Sequence, residues 1–228
     1  MNLFNPIIII SKIVVFFYTG SLKTPPKDQL SSTIWWKLVI QHQKRLTQNQ
    51  QYKVGLFGDS ITSPLGNSLG SHVFNFAITA MSTRSLVEQL KVLVDSQVTC
   101  TTAIVAIGTN DAWYDISGTT FVQLMKKAIH LLRLMGTKQI VLLPVFYSSV
   151  AASENPFRAA PLTRVEEINA LLHQVADIEN LYLADKEIEV LFDSKAIKAN
   201  YTRDGVHLNS SGLKAYKQVL LKLINTRA

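Results

Sequence analysis

The chain of 228 residues contains a single cysteine, Cys100. One cysteine excludes an internal disulfide, and its position beside an apolar run is typical of a small packed residue rather than a nucleophile. The sequence has no Gly-x-Gly-x-x-Gly or P-loop pattern, so no nucleotide cofactor is indicated. None of the five histidines stands at a metal-ligand spacing from a second histidine or cysteine. We therefore expect neither a metal ion nor an organic cofactor.

Acidic residues are fewer than basic ones, and the formal net charge is +7. Such a charge attracts nucleic acid, anionic membranes or anionic substrates. The basic residues are spread along the whole chain, however, and the densest groups are only pairs, at 44–45 and 126–127. We expect no nucleic-acid partner, while attraction to anionic surfaces or substrates stays open.

A long hydrophobic run is also missing. The stretch from Phe4 to Tyr18 is apolar, but Pro6, Ser11 and Lys12 interrupt it, and it is shorter than the roughly 20 residues of a spanning helix. It lacks the basic start and the cleavage site of a good signal peptide. A weak signal or anchor, an interfacial segment and a tail packed on the domain are the three alternatives. We favour membrane association through residues 1–20; cytoplasmic location and secretion stay open.

The chain divides into an apolar segment and linker (1–30), a helical lead-in (31–51) and a main domain (52–228). A helix is predicted to open at 34–40, and the Gln-rich stretch behind it either continues the helix or forms a loop. In the main domain, short apolar runs alternate with segments of helical period. The strands are predicted at 52–57, 72–76, 102–107, 139–145 and 181–184. This alternation predicts an α/β fold whose mostly parallel sheet carries helices on both faces and its ligand site at the carboxyl ends of the strands.

Three short motifs stand at or near the predicted strand ends. Gly-Asp-Ser-Ile (58–61) follows the first strand, Gly-Thr-Asn-Asp (108–111) follows the third, and Asp-Gly-Val-His (204–207) precedes the final helix. Each motif alone is a weak signal, because such steps are common in simple turns. Their joint occurrence in this order favours one functional site.

A Ser-His-Asp set suits nucleophilic catalysis. The hydroxyl of Ser60 needs a base to take its proton, and His207 can serve as that base. A carboxylate on the other ring nitrogen fixes the imidazole, and Gly205 permits a tight turn that brings Asp204 to His207. The alternative for Asp204 is a helix cap, a role that Asn209 or Ser210 could also fill.

Further residues near these motifs fit the same chemistry. The amide of Asn110 and the backbone N–H of Ser60 are candidate donors to an oxyanion, although Asn110 could also be a plain turn residue. Asp59 and Asp111 are expected to orient loops by hydrogen bonds. Trp113 and Tyr114 are candidate walls of a substrate pocket, and residues 146–161 are long enough to form its rim or lid. Plain loop packing is the alternative for both.

From about Tyr52 to the C-terminus the sequence resembles the SGNH hydrolases, the GDSL-like lipase/acylhydrolase family. The resemblance implies a flavodoxin-like, three-layer α/β/α fold with a five-stranded sheet. It places the nucleophile on Ser60, the oxyanion-hole amide on Asn110 and the Asp-x-x-His pair on Asp204 and His207. The family's second motif usually carries a glycine whose N–H completes the oxyanion hole, and Ala80 takes that place here. The N–H is retained, but the added methyl group is unfavourable if this position needs a positive φ.

These expectations describe a serine esterase that cleaves small carboxylic esters through an acyl-enzyme, without a cofactor. O-acetylated sugars, lipids and thioesters all stay open as substrates. Three alternatives also stay open: an acyltransferase on the same fold, a catalytically weak binding module, and a protein that binds anionic or membrane surfaces.

Overall fold

The computed structural model of the protein describes residues 27–227. The apolar run from Phe4 to Tyr18, and with it the membrane association expected through residues 1–20, lies outside this range. Among the described residues, no helix combines the length and the apolar character needed to cross a membrane.

Five strands form one sheet in which every neighbouring pair is parallel. The strands are β1 (Gln51–Gly58), β2 (Val73–Asn75), β3 (Thr99–Ala106), β4 (Gln139–Leu142) and β5 (Tyr182–Leu183). Their order across the sheet is β2-β1-β3-β4-β5. Between parallel strands the chain must return from the carboxyl end of one strand to the amino end of the next, and helical segments form most of these crossovers. The predicted α/β fold is confirmed.

The helices lie on both faces of this sheet. They are α1 (Ile34–Thr47), α2 (Thr83–Asp95), α3 (Thr109–Trp113), α4 (Gly118–Leu134), α5 (Val150–Ser153), α6 (Leu162–Glu179), α7 (Asp185–Ile188) and α8 (Ser210–Arg227). A small antiparallel pair, β6 (Phe192–Asp193) and β7 (Ala196–Ile197), precedes α8. Short 3-10 turns lie at Leu30–Ser32, Ser63–Leu65, Glu189–Leu191 and Ala199–Tyr201.

Strand β1 shows how the two layers of core are built. Successive side chains of a strand point to opposite faces. Phe57 packs into a core shared with α1, α2, α4 and α6, which we call the first face. Val54 and Leu56 pack into a separate core with α7 and α8, the second face. The result is a three-layer α/β/α arrangement.

Helix α1 resolves the alternative left open for the Gln-rich stretch, because the helix continues to Thr47. The side chain of Thr33 caps its start by accepting a hydrogen bond from the N–H of Trp36 at 3.1 Å. Gln43 is buried and donates from Nε2 to the carbonyl of Phe76 at 3.2 Å. Gln89 of α2 donates to Gln43 Oε1 at 2.8 Å. These glutamines therefore dock α1 onto the main domain through buried amide hydrogen bonds.

Strand β4 ends at Leu142, three residues before the predicted end. The N–H of Leu143 still donates to the carbonyl of Val105 at 2.9 Å. Pro144 has no N–H and cannot continue the ladder. The chain therefore leaves the sheet here and begins the segment expected to border the pocket.

Candidate active site

Ser60 stands on a tight turn directly beyond β1. The side chain of Asp59 accepts a hydrogen bond from the N–H of Ile61 at 2.9 Å, and its carbonyl accepts from the N–H of Ser63 at 2.9 Å. Asp59 is fully buried, and burial raises its pKa to about 6, against the opposing effects of the Ile61 hydrogen bond and of nearby His207. This turn holds the Ser60 hydroxyl at the carboxyl edge of the sheet.

His207 is presented by a loop that folds back on itself before α8. Thr202 and Leu208 form an isolated bridge, and Thr202 Oγ1 donates to the carbonyl of His207 at 2.9 Å. Gly205 at the tip adopts φ +87°, a conformation that glycine accepts without strain. Asn209 caps α8 by accepting from the N–H of Gly212 at 2.9 Å. Asn209 therefore caps α8, and the side chain of Asp204 is free to bind His207.

The structure brings the predicted Ser-His-Asp side chains into one hydrogen-bonded chain. Ser60 Oγ lies 3.1 Å from His207 Nε2, and His207 Nδ1 lies 2.8 Å from Asp204 Oδ2. Asp204 Oδ1 also accepts from the backbone N–H of His207 at 2.7 Å and of Val206 at 3.0 Å. Partial burial by itself would raise the pKa of Asp204, but the hydrogen bonds from His207 and Val206 outweigh it and hold the pKa well below its usual range. Asp204 is therefore ionised at neutral pH.

Asn110 lies in the first turn of α3, close to the loop that carries Ala80. Gly108 precedes the helix at φ +129°, where a side chain would collide with Val145. Asn110 Nδ2 donates to the carbonyl of Met81 at 2.9 Å. An amide nitrogen carries two hydrogens, so this contact orients the amide and leaves a second hydrogen for a ligand.

Ala80 adopts a left-handed backbone conformation with φ +64°. This position, where the family usually has glycine, therefore does need a positive φ. The conformation costs alanine about 1–2 kcal/mol of steric strain. Tyr114 donates from its hydroxyl to the carbonyl of Ala80 at 3.3 Å. Within residues 27–227, no hydrogen-bond acceptor lies on the backbone N–H of Ala80 or on that of Ser60. Both residues line the same cavity, and both N–H groups are free to donate to a ligand there.

Asp111 ties the Gly-Thr-Asn-Asp motif (108–111) to the start of α2, just after the loop that carries Ala80. It is fully buried and accepts hydrogen bonds from both the backbone N–H of Thr83, at 3.0 Å, and the Thr83 hydroxyl. Burial raises the pKa of Asp111 to about 7, although the bonds from Thr83 act in the opposite direction. These contacts agree with the expectation that Asp111 orients loops through hydrogen bonds.

A cavity of about 630 Å³ opens beside Ser60 and His207. Trp113 and Tyr114 both line it, and the segment 146–161 contributes further lining residues. Its aromatic side chains are Trp35, Trp113, Tyr114, Phe146, Tyr147 and Phe157. Pockets of this size hold small organic ligands.

The loop after β4 also supports the histidine loop. The N–H of Ser149 donates to the carbonyl of Gly205 at 2.7 Å, and a side chain on Gly205 would collide with Ser149 and Ala152. The segment that borders the cavity therefore touches the turn that carries Asp204 and His207.

Sequence reasoning missed one wall of the cavity, which comes from the lead-in. Lys27, Gln29, Leu30, Thr33 and Trp35 line the cavity. No local pattern marks them, because they reach the site through contacts with residues about 50 positions away in the sequence, such as Asp28 with Ser82. In the described part of the chain, no three His, Cys, Asp or Glu side chains are grouped so that they could hold a metal ion.

The parallel sheet and the Ser-His-Asp chain at its carboxyl edge are the arrangement of a serine hydrolase. The model of the GDSL-like Lipase/Acylhydrolase family matches residues 55–215. The chain belongs to this family and is a serine ester hydrolase.

Several solved structures are similar to this chain. One is a protein from Bacteroides fragilis assigned as an acylhydrolase, with 18% identity over 88% of this chain and 99% of that chain and a TM-score of 0.68. A GDSL-like lipase from Bacteroides thetaiotaomicron has 14% identity over 84% of this chain and 98% of that one, also with a TM-score of 0.68. The lipase/acylhydrolase from Enterococcus faecalis has 22% identity over 77% and 96%, with a TM-score of 0.62. At these identities the likeness is one of fold. Among curated proteins, no sequence matches this chain.

Proposed function

We propose that the protein hydrolyses small carboxylic esters through an acyl-enzyme formed on Ser60. The observation that carries this proposal is the continuous chain from Ser60 Oγ to His207 Nε2, at 3.1 Å, and from His207 Nδ1 to Asp204 Oδ2, at 2.8 Å. The first distance suits transfer of the hydroxyl proton to the imidazole. The second keeps the remaining ring proton on Nδ1 and stabilises the imidazolium that forms.

In the first step, Ser60 Oγ attacks the ester carbonyl while His207 Nε2 takes its proton. The carbonyl π electrons move to the oxygen, which becomes an oxyanion. In this proposal, three donors stabilise the oxyanion: the N–H groups of Ser60 and Ala80 and the side-chain amide of Asn110. All three residues line the cavity. Preorganised donors of this kind favour the tetrahedral intermediate over the planar ester.

The tetrahedral intermediate then collapses and expels the alcohol. His207 returns the proton from Nε2 to the departing oxygen, which leaves an ester on Ser60. Water repeats the sequence with His207 as the base, so the acid is released and the Ser60 hydroxyl is restored. The residues of the chain supply every proton transfer in this cycle.

Replacement of the nucleophile tests the proposal. With p-nitrophenyl acetate and butyrate, we expect Ser60→Ala to lower kcat by about 10³-fold or more, because the acyl-enzyme cannot form. Ser63→Ala is the matched control, since Ser63 lies in the same turn but does not line the cavity. Its activity should stay within about twofold of the wild type.

Equal activity of Ser60→Ala and the wild type on a broad set of esters would instead support the binding-module alternative. The acyltransferase alternative is tested in the same assay by adding sugar or lipid alcohols. If the acyl group passes to the alcohol faster than to water, transfer rather than hydrolysis is the main reaction.

A further inference from the structure

One wall of the cavity is built by residues that precede the part of the chain matched by the family model. Lys27, Gln29, Leu30, Thr33 and Trp35 line the cavity together with Ser60 and His207, whereas the family match begins at residue 55. We call residues 27–35 the lead-in wall. The part of the chain that matches the family model therefore does not by itself enclose this pocket.

Asp28 fixes the lead-in wall to the loop that carries Ala80. The side chain of Asp28 is only 6% exposed. Its Oδ2 accepts a hydrogen bond from the Ser82 hydroxyl at 2.5 Å and lies 3.8 Å from Arg84 Nε. A hydrogen bond to a carboxylate is stronger than one between neutral groups. Ser82 follows Ala80 and Met81 directly, so the wall is attached to the loop that presents the Ala80 N–H.

The wall lies on the first face of the sheet, on the opposite side from the histidine loop. Leu30 belongs to the first-face core, and Trp35, Ala80 and Trp113 pack against that core. Leu208, the neighbour of His207, belongs to the second-face core. The cavity thus runs from the histidine loop on one side to the lead-in wall on the other.

This arrangement separates the two halves of an ester. The leaving oxygen must come within hydrogen-bond reach of His207 Nε2 to receive its proton. The leaving group is therefore held on the side of the histidine loop. An acyl substituent directed away from the leaving oxygen would extend toward the first face, where Leu30, Trp35 and Trp113 line the cavity.

We propose that the lead-in wall binds the acyl chain of the substrate and that Leu30 and Trp35 determine its preferred length. This inference rests on the proposed function of Ser60 and His207. A cavity of about 630 Å³ far exceeds the needs of an acetyl group. Each methylene that enters an apolar pocket favours binding, so the wall selects chains of several carbons over acetate. Asp28 acts as a positioning residue, because it holds the wall in place without touching the ester.

The test compares p-nitrophenyl acetate, butyrate and octanoate, which share one leaving group. We expect Trp35→Ala to lower the ratio of kcat/KM for octanoate over acetate by about tenfold or more, because the loss of apolar contact affects only the longer chain. Ile34→Ala is the matched control, since Ile34 is the adjacent residue, is 77% exposed and lies outside the cavity lining. Its octanoate-to-acetate ratio should equal that of the wild type.

A second series keeps the acyl group as butyrate and varies the alcohol. The relative rates within this series should be the same for Trp35→Ala and the wild type. Asp28→Asn retains the shape of the side chain and removes its charge, and we expect it to raise KM for octanoate by about threefold or more relative to KM for acetate. Trp35→Phe provides the same comparison of acyl lengths if Trp35→Ala does not fold.

An unchanged octanoate-to-acetate ratio in Trp35→Ala, or in Trp35→Phe where that variant is used, would overturn the inference, as would a change confined to the alcohol series. These failures are distinct from a failure of the proposed function. If Ser60→Ala is inactive and the ratio does not move, only the role of the lead-in wall is wrong. If Ser60→Ala retains wild-type activity, both proposals are wrong.

Discussion

The two sides of the candidate active site are held together in different ways. On the histidine side, the contacts that hold Asp204 are local: Thr202, Asp204, Gly205 and His207 bond to one another within five residues of the chain. The side chains of Asp204 and His207 are 42% and 31% exposed. On the oxyanion side, Asn110 reaches Met81 across 29 positions of sequence, with buried atoms.

These two kinds of contact predict different effects of mutation. On the histidine side, a variant can lower turnover with little loss of stability, whereas on the oxyanion side the same contact serves both. Removal of an exposed, local contact disturbs little beyond the loop itself. Removal of a buried, long-range contact leaves an unsatisfied polar group and weakens the fold as well. We therefore expect variants on the histidine side to affect mainly turnover, and removal of a buried side-chain contact on the oxyanion side to lower both turnover and stability.

Among variants that keep the nucleophile, the largest effect on turnover is expected from Asp204→Asn. An amide in place of the carboxylate no longer fixes the proton on Nδ1 of His207, so the ring loses the tautomer that accepts the Ser60 proton, and kcat should fall by about 10⁴-fold. The free energy of unfolding, measured with urea at pH 7, should fall by only about 1 kcal/mol, because Asp204 is 42% exposed and solvent screens its charged hydrogen bonds. A loss of several kcal/mol would contradict the view that this side is locally held.

Asn110→Ala should show the combined behaviour of the oxyanion side. Loss of the amide donor should lower kcat by about 10²–10³-fold with little change in KM. The buried carbonyl of Met81 also loses its donor, so the free energy of unfolding should fall by about 1–3 kcal/mol. Steady-state kinetics and urea unfolding measure the two effects. A pure increase in KM would remove Asn110 from the oxyanion hole.

Asp111→Asn tests the buried link between Asp111 and Thr83 through the pH dependence of stability. Because the pKa of Asp111 is raised to about 7, the folded protein keeps a proton that the unfolded chain releases near pH 4. The free energy of unfolding should therefore fall as pH rises from about 4 to 7. Asp59, with its pKa raised to about 6, adds a contribution of the same sign up to that pH.

The variant lacks the Asp111 contribution and keeps that of Asp59. The difference in unfolding free energy between wild type and variant should change with pH by at most about 1.4 kcal/mol per unit, and should become constant above about pH 8. Urea unfolding at half-unit steps from pH 4 to 8 measures it. Parallel curves for the two proteins would show that burial does not hold this proton.

The smallest effect is expected from Ala80→Gly. Glycine relieves the strain of φ +64°, but it also gives the unfolded chain more freedom, so the net gain in stability should be below about 1 kcal/mol. Turnover should stay within about twofold, because the backbone N–H is unchanged. Ala77→Gly is the control: Ala77 has no positive φ, so this variant should lose about 0.5–1 kcal/mol. Equal losses in both variants would show that Ala80 is not strained.

The sequence was informative where function follows directly from a strand end. Parallel strands bring their carboxyl ends to one edge, so the runs that contain Ser60 and Asn110 could be expected to lie close together. The spacing of Asp204 and His207, with Gly205 between them, predicted a local turn that presents both. These are short-range relations, and a single sequence carries them.

What the sequence did not predict depends on contacts between distant residues. The attachment of Asp28 to Ser82 spans 54 positions and has no periodic pattern. The left-handed conformation of Ala80 is imposed by its surroundings against the preference of alanine. The end of β4 at Leu142 could have been anticipated from Pro144, whereas the cavity wall at Leu30 and Trp35 could not.

The contact between Ser149 and the tip of the histidine loop has a consequence for adapting this enzyme to new substrates. Redesign of the pocket at Ser148, which lines the cavity beside Ser149, would also shift the turn at Gly205, so a gain in selectivity there would come with slower turnover. The lead-in offers a second place for redesign that does not touch the base. New substrate preferences are therefore most accessible, in the laboratory or in evolution, through the chain that precedes the first strand.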